Sequence, residues 1–262
     1  MAGTATTHVF RDVAIPFAIA HRGGAAYPPN AGIENTLRAF GTAWRLGHRL
    51  FETDVRASRD GVAVVVHDDR LDRLCGVPDQ VAALTWDELS RLRVGGREPL
   101  PRLADLLAAF PEARVNIDIK ADDAVLPTLA AVTAAGAGHR VCLASFSDRT
   151  LRQVRRLAGP GIATSCARLE VALLRFGPTR RVRGTASRRG AIAAQVPHRT
   201  RGITVVTPGF VRNAHALGLQ VHVWGVDDLG SMRAMLELGA DALITGRIDL
   251  VTGALAESRA GR

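Results

Sequence analysis

The most restrictive feature of this 262-residue sequence is a repeated alternation of short apolar runs with longer stretches of helical spacing. This alternation is typical of βα units that build a parallel sheet. Eight such units in a chain of about 250 residues fit a closed barrel better than an open sheet. We therefore predict an α/β fold, a single (β/α)8 TIM barrel over 1–262 with its core at 17–250. The predicted strands are 17–20, 50–55, 115–119, 141–145, 162–165, 191–195, 220–224 and 241–245, and the predicted helices include 34–46, 122–135, 147–158, 207–217 and 228–238.

One element interrupts the alternation directly after the second strand. The turn residues 58–61, with their Asp-Gly pair, are followed at once by the apolar run 62–66. This pattern predicts a β-hairpin rather than a helical crossover. A turn centred in the middle of 58–61 would place Glu52 opposite His67. We expect the segment of approximately 56–99 to form this hairpin and a short insertion above or beside the barrel.

Composition and the N-terminal sequence bear on the cellular compartment of the protein. Apolar residues make up 47% of the chain, but no uninterrupted apolar stretch of about 18 residues predicts a transmembrane helix. The N-terminal region lacks the pattern of a secretory signal. The cysteines are odd in number and lack metal-ligand spacing, which indicates reduced, mostly buried thiols in a cytoplasmic protein. They are Cys75, Cys142 and Cys166.

The net charge of +9 comes almost entirely from arginine, because Lys120 is the only lysine among 34 basic residues. The excess reflects either a coding bias or a preference for anionic partners such as phosphate esters. A basic stretch between the fifth and sixth strands is either a solvated surface or a site of weak peripheral contact with an anionic membrane. Nucleic-acid binding is not indicated, and no obligate protein partner is evident. The stretch contains Arg175, Arg180, Arg181, Arg183, Arg188 and Arg189.

Charged residues on the second and third strands suggest a metal site. Glu52 and Asp54 point to the same face of one strand, as do Asp118 and Lys120 on the next. Charges inside a barrel are costly unless they bind a cation or one another. Three carboxylates make a hard oxygen site suited to Mg²⁺ or Ca²⁺. A structural network of ion pairs is the alternative.

Two histidines accompany these carboxylates. His21 ends the first strand and is followed by Arg22 and two glycines, which allow a ligand to approach the backbone closely. Arg22 offers a planar fork for phosphate oxygens, and Lys120 a compact positive charge. With His67 on the hairpin, His21 could supply general acid and general base. The alternative for each histidine alone is a structural role.

These motifs together resemble the glycerophosphodiester phosphodiesterase family over residues 17–250. The segments AHRGG, IENTLRAF, FETDVRASRDGVAVVVHDD, NIDIK, ASF, VHVW and LITGRIDL occur in this order. The resemblance implies a metal-dependent barrel enzyme that hydrolyses glycerophosphodiesters to an alcohol and glycerol 3-phosphate. It implies the following roles: His21 and His67 are catalytic, Glu52, Asp54 and Asp118 bind the metal, Arg22 and Lys120 bind phosphate, and Glu34 and Trp224 lie at the substrate.

The sequence departs from the family pattern at several positions. Asp118 replaces a glutamate, as in sicariid-type phospholipase D enzymes, so we expect metal binding to survive. The approach to Glu34 lacks the usual proline, which predicts a differently shaped loop after His21. Gly225 and Gly246 replace polar residues, which bears on substrate selectivity. Phe146 and Gln195 are predicted at the pocket, with a core role equally open for Phe146 and a core aromatic role as the alternative for Trp224. His215 and His222 are expected to be structural.

Two alternatives to the leading function stay open at this point. One is a phospholipase D-type activity on lysophospholipids, and the other is a catalytically silent phosphate-binding barrel. The sequence does not assign the base and the acid between the two histidines. It also leaves open whether water or the glycerol 2-hydroxyl attacks the phosphorus.

Overall fold

The computed structural model describes residues 9–10, 12–184 and 190–261, and in them a strand and a helix alternate around a barrel. The strands are β1 (Phe17–His21), β2 (Leu50–Ala57), β3 (Arg114–Ile119), β4 (Val141–Ala144), β5 (Ala163–Ser165), β6 (Ala191–Pro197), β7 (Gln220–Trp224) and β8 (Ala242–Thr245). The helices that follow them are α1 (Leu37–Arg45), α2 (Leu103–Ala109), α3 (Val125–Ala134), α4 (Asp148–Ala158), α5 (Arg168–Phe176), α6 (Pro208–His215), α7 (Leu229–Glu237) and α8 (Val251–Ala260).

Strand β1 closes the barrel by pairing with both the last strand and the second. Phe17 is aligned with Ala242 of β8, and Ala20 with Phe51 of β2. Neighbouring barrel strands all pair in parallel. The predicted fold class is therefore confirmed. All carboxyl ends open on one side of the barrel, which is where barrel enzymes place their active sites.

Helix α1 begins later than the sequence pattern predicted. The side chain of Thr36 accepts a hydrogen bond from the Ala39 N–H and caps the helix. Asn35 has a φ of 60°, outside the helical region. Glu34 and Asn35 consequently belong to the loop that follows β1, and their side chains are available to the strand ends.

The hairpin after β2 is present, but its predicted register is wrong by one residue. Val55 is paired with Val65, and Ala57 with Ala63. The turn has three residues, 59–61, because the Ser58 N–H bonds the Val62 carbonyl across it and Gly61 adopts a φ of 79°. Extending this register places Glu52 opposite Asp68, so His67 is not its direct partner across the hairpin.

The expected insertion packs beside the hairpin around a small apolar core of its own. A side chain of the insertion also reaches the loop after β1: the Arg97 guanidinium donates to the Ala31 carbonyl. It contains the short helices Asp72–Cys75 and Trp86–Ser90 and the two-stranded ribbon of Arg93–Val94 with Glu98–Pro99. Its core side chains are Leu71, Leu74, Val81, Leu89 and Val94, which cluster with Val64 and Val66 of the hairpin.

An aromatic cluster fixes α1 against β2. The ring centroids of Phe40 and Phe51 are 5.2 Å apart, and those of Phe51 and Phe110 are 5.3 Å apart. Burial of a phenylalanine side chain contributes about 1.5–3 kcal/mol. Because Phe51 immediately precedes Glu52 in β2, this packing also holds the backbone of Glu52 in place. No helix in the described part of the chain is long and apolar enough to cross a membrane.

Candidate active site

The carboxyl ends of the barrel strands open into one cavity of about 500 Å³. Ten of the eleven residues predicted for the site line this cavity. Glu34 is the exception and contacts one of the lining residues from outside. The ten lining residues are His21, Arg22, Glu52, Asp54, His67, Asp118, Lys120, Phe146, Gln195 and Trp224.

Lys120 lies between two of the predicted metal ligands. Its Nζ is 2.7 Å from Asp54 Oδ1 and 2.6 Å from Asp118 Oδ2. Asp54 on β2 is aligned with Asp118 on β3, which sets the two carboxylates side by side. Glu52, two residues before Asp54 and buried with it, faces the same interior. The alternation of strand residues therefore produces an acidic cluster with one ammonium group inserted into it.

Burial controls the protonation of this cluster. It raises the pKa of Asp118 and, together with the charge of Asp54, raises the pKa of Glu52 well above its usual value. Burial acts in the same direction on Asp54, but the charges of Lys120 and Arg22 outweigh it and lower that pKa. Although burial opposes it, the two aspartates raise the pKa of Lys120. When all three carboxyl groups are ionised, their negative charge exceeds the positive charge of Lys120 and Arg22. A further cation would therefore stabilise the ionised cluster.

The donor set fits a hard divalent cation, although the side chains are not arranged around one. Oδ1 of Asp118 is buried and has no hydrogen-bond partner. Carboxylate oxygens are the ligands that Mg²⁺ and Ca²⁺ prefer. In the part of the chain that the structure describes, no three His, Cys, Asp or Glu side chains form a ready metal cage. Lys120 occupies Asp54 Oδ1 and Asp118 Oδ2, so a cation would either share these carboxylates with the ammonium or displace it from one of them.

Arg22 and the two glycines after it form a tight turn at the end of β1. Arg22, Gly23 and Gly24 have φ values of 51°, 77° and 92°. The Arg22 N–H donates to Glu52 Oε2 at 3.2 Å. Its Nε lies 3.0 Å from Asp54 Oδ2 in an ion pair, but the geometry gives this buried N–H no hydrogen bond. The guanidinium therefore keeps a donor that a phosphate oxygen could satisfy.

His21 lies beside the acidic cluster. Its Nε2 is 3.8 Å from Glu52 Oε2. Burial, with the neighbouring charge of Arg22, lowers the pKa of His21 to about 4. The imidazole is therefore neutral near pH 7 in this state of the site, with a nitrogen lone pair that can accept a proton.

His67 is held by a chain of charged groups that ends at Arg22. Its Nδ1 is 2.7 Å from Asp68 Oδ1, and Arg73 donates to the other Asp68 oxygen at 2.6 Å. Arg73 also donates to Glu34, which accepts a further bond from Arg22 at 3.0 Å. Partial burial raises the pKa of Asp68, but the bonds from Arg73 and His67 outweigh it and lower this pKa to about 2. Glu34 thus orients Arg22 from outside the cavity.

Two aromatic rings form an apolar part of the cavity wall, and one of them, Phe146, has its ring centroid 5.8 Å from the Lys120 ammonium. Phe146 and Trp224 meet edge to face with ring centroids 5.9 Å apart. Phe146 is 49% exposed, so it lines the opening and is not a core residue. Gln195 is held by a hydrogen bond from its Nε2 to Asn116 Oδ1 at 2.9 Å. Its orientation is fixed by β3, although it is carried by β6.

Sequence reasoning missed several residues that support the site. Asn35 donates to Asp54 Oδ2 at 2.9 Å, and Asn116 lines the cavity. A signal for Asn116 was available, because strand alternation puts it on the same face as Asp118. No local pattern could reveal Arg73, which reaches Glu34 from the insertion.

The end of β8 compensates for Gly246. The Asp227 carboxylate accepts hydrogen bonds from the Gly246 N–H at 2.8 Å and from the Thr245 hydroxyl at 2.7 Å. A Cβ on Gly246 would lie 2.5 Å from the Ala26 backbone nitrogen. Glycine is therefore required by close packing, and the carboxylate of Asp227 supplies the polar group at this strand end.

We expect Gly246→Ala to destabilise the protein by about 1–3 kcal/mol, because the added methyl group overlaps the backbone of Ala26. Gly253→Ala is the matched control, since a Cβ there meets nothing within 4 Å on helix α8. That change should stabilise the protein by about 0.5–1 kcal/mol. Denaturant unfolding of both variants measures the difference. Equal effects of the two substitutions would contradict the close approach.

The other residues considered from the sequence are placed outside the catalytic cluster. His222 is fully buried, and His215 Nε2 is 2.7 Å from Asp241 Oδ2. Neither histidine lines the cavity, which agrees with the structural role expected for both. In the basic stretch, Arg175 and Arg180 donate to main-chain carbonyls. Arg188 and Arg189 lie outside the described residues.

Comparison with known proteins gives matches over nearly the whole chain. Residues 21–250 match the glycerophosphoryl diester phosphodiesterase family. The chain is 40% identical to Probable glycerophosphodiester phosphodiesterase 2 of Mycobacterium tuberculosis, over 91% of this chain and 90% of that protein. The crystal structure of glycerophosphodiester phosphodiesterase from Agrobacterium tumefaciens has a TM-score of 0.74 at 25% identity, covering 92% of this chain and 100% of that one. A shorter match, 35% identical over 41% of this chain and 37% of the relative, is to human lysophospholipase D GDPD1.

The barrel and these matches define the class of protein, a phosphoric diester hydrolase. More particularly, the chain belongs to the glycerophosphoryl diester phosphodiesterase family. Members of this family generally depend on a divalent metal ion.

Proposed function

We propose that this enzyme hydrolyses small glycerophosphodiesters to an alcohol and glycerol 3-phosphate at the cavity described above. The observation that carries the proposal is the convergence of His21, His67 and the acidic cluster on one side of a single cavity. Hydrolysis of a phosphodiester needs positive charge for the phosphate and groups that move two protons. The cavity contains residues suited to each task.

Glu52, Asp54 and Asp118 would hold Mg²⁺ or Ca²⁺ as their oxygens satisfy the coordination preferences of either ion. Such an ion would act as a Lewis acid on a phosphate oxygen. Arg22 would donate its unsatisfied Nε–H to the phosphate. Lys120, once separated from one of its aspartates, would add a compact positive charge beside the same group.

The two histidines would exchange protons with the reacting oxygens. His67, which lines the cavity, has its Nδ1 bound to Asp68, which leaves Nε2 available and provides a carboxylate to balance an imidazolium charge. We assign it to protonation of the leaving alcohol. His21, which has no such carboxylate on its far nitrogen among the described contacts, would accept the proton of the attacking water or hydroxyl.

A screen of glycerophosphodiesters with different alcohol groups, in the presence of Mg²⁺ or Ca²⁺, tests the proposal. Glycerol 3-phosphate should be released from at least one of them. Binding of substrate without turnover at any metal concentration would instead establish a silent phosphate-binding protein.

Lysophospholipids are a second candidate substrate. The apolar wall of Phe146 and Trp224 and the partial match to a lysophospholipase D favour it. Rates on lysophosphatidylcholine and glycerophosphocholine separate the two cases. A higher kcat/KM for the lysolipid would make the small diester the secondary substrate.

We further propose that the enzyme acts in the cytoplasm, within glycerolipid metabolism, with at most weak contact to anionic membranes. The described cysteines carry free thiols, two of them buried, which is consistent with a reducing compartment. Cell fractionation tests this placement. Recovery of the native protein only from an extracellular fraction would overturn it.

Lys120→Arg should lower kcat by about 10²-fold despite keeping the charge, because a displacement of about 1 Å at a reacting group can cost that much. The ammonium contacts Asp54 and Asp118 at once, with 13% of its side chain exposed. A planar guanidinium cannot occupy the same volume. Turnover and melting temperature of Lys120→Arg beside Lys120→Ala measure the effect. Near-wild-type turnover of the arginine variant would show that any cation suffices.

A further inference from the structure

The cavity extends well past the groups assigned to the chemistry. His21, Glu52, Asp54 and Asp118 are carried by β1, β2 and β3, whereas much of the remaining wall is carried by β4 to β8. In the closed barrel, β5 and β6 stand across from β1 and β2. The residues that line the cavity after β5 and β6 include Arg168, Val171, Thr200, Arg201 and Val205.

The arginines that line the cavity after β5 and β6 have no carboxylate beside them in the cavity lining. Every carboxylate that lines the cavity belongs to β2 or β3. Arg168 and Arg201 are exposed, and neither guanidinium makes an ion pair or a hydrogen bond with the residues that the structure describes. Asp148 lies near Arg168 at the rim, but it accepts a bond from the Leu169 N–H instead.

Arg155 provides a contrast within the same part of the barrel. Its guanidinium contacts both oxygens of Glu170, at 2.6 and 2.9 Å. The fold thus neutralises an arginine that packs against the barrel, but it leaves Arg168 and Arg201 directed to the cavity without an acid of the lining beside them.

The backbone at Arg201 adds a second, independent observation. Arg199–Thr200 and Ile203–Thr204 form a ribbon whose two-residue turn is Arg201-Gly202, with φ values of 46° and 80°. A turn with two positive φ values strongly favours Asn-Gly or Asp-Gly. A long side chain at the first position is strained, and such strain concentrates at functional sites. The position keeps an arginine over the cavity at a cost in stability.

We propose that Arg168 and Arg201 bind a negative charge on the alcohol part of the substrate. This inference rests on the proposed function and specifies the substrate class: glycerophosphodiesters whose alcohol carries its own phosphate or carboxylate group. The glycerol part carries no charge besides the shared phosphate, so only the alcohol part can supply the second anion. Bidentate guanidinium contacts suit phosphate and carboxylate groups alike.

The test compares two substrates that differ by one phosphate, glycerophosphoinositol 4-phosphate and glycerophosphoinositol, by release of glycerol 3-phosphate. We expect kcat/KM to be about 10-fold higher or more for the phosphorylated substrate. Arg168→Gln and Arg201→Asn should each remove most of this preference and leave kcat/KM for glycerophosphocholine equal or higher. Arg156→Gln, an exposed arginine of α4 outside the cavity lining, is the control and should preserve the preference.

Arg201→Asn carries a further readout, because asparagine suits the turn better than arginine. Its melting temperature should rise while its preference for the anionic substrate falls. Equal kcat/KM for the two inositol substrates in the wild type, or an equal loss in Arg156→Gln, would overturn the inference. If no diester is turned over, the proposed function fails, and calorimetric binding of the same two compounds decides the charge preference by itself. Equal affinities in that measurement would overturn it.

Discussion

Excess chelator should lower turnover by about 10³-fold or more while the barrel stays folded, because a Lewis acid contributes several kcal/mol to the stabilisation of a phosphoryl transition state. The acidic cluster lies at the open end of the strands, apart from the apolar layer between strands and helices. Release of glycerol 3-phosphate and circular dichroism should therefore separate loss of activity from loss of structure. Full activity in excess chelator would contradict the assignment of a metal site.

Glu52→Gln and Asp54→Asn should reproduce the effect of the chelator, since an amide keeps the shape of the side chain and removes its charge. Glu112→Gln, at an exposed position, is the matched control and should retain activity. Restoration of wild-type rates in Glu52→Gln by raised metal concentration alone would indicate that Glu52 contributes affinity and no more.

The metal-depleted protein offers a readout independent of turnover. Burial and the charge of Asp54 raise the pKa of Glu52, so the folded chain holds this proton more tightly than the unfolded chain. The associated stability is full below the unfolded pKa and is lost as the pH rises through the folded pKa. Above that range the buried carboxylate destabilises the fold. Glu52→Gln without metal should therefore melt higher than the wild type at alkaline pH, and a lower melting temperature would contradict this.

Local periodicity was sufficient to predict the barrel and the inward-facing charged residues of β2 and β3. Strand alternation alone predicts that Glu52, Asp54 and Asp118 point to the same face of the sheet. The pairing of Asp54 with Asp118 then sets these carboxylates side by side. The chain order of βα units then brings the carboxyl ends of all strands to one rim. Residues on different strands meet there because of this topology, however far apart they are in sequence.

Features that depend on turn length or on distant packing could not be predicted in this way. An Asp-Gly pair suits two-residue and three-residue turns, so the hairpin register differed by one residue. The start of α1 depends on the residue that caps it, and Thr36 caps it two residues after the predicted start at 34. The need for Gly246 arises from Ala26, a residue at the opposite end of the chain. Such contacts exist only after the barrel closes.

His21→Ala and His67→Ala should each lower kcat by about 10²–10⁴-fold, the usual cost of losing a general acid or base. Both rings line the cavity on the side of the carboxylates. His139→Ala, at an exposed turn, is the control and should leave kcat unchanged. If neither cavity variant loses more than a few-fold in rate, the two-histidine mechanism is wrong.

A substrate with an activated leaving group, such as a p-nitrophenyl ester, assigns the roles of the two rings. Such a leaving group needs no proton, so it should rescue only the variant that has lost the general acid. Because Asp68 holds Nδ1 of His67 at 2.7 Å, we expect rescue of His67→Ala and none of His21→Ala. Asp68→Asn should show a smaller loss with the natural diester and the same rescue, since it disturbs the orientation and charge balance of the ring but leaves the ring in place. Rescue of His21→Ala alone would reverse the two assignments.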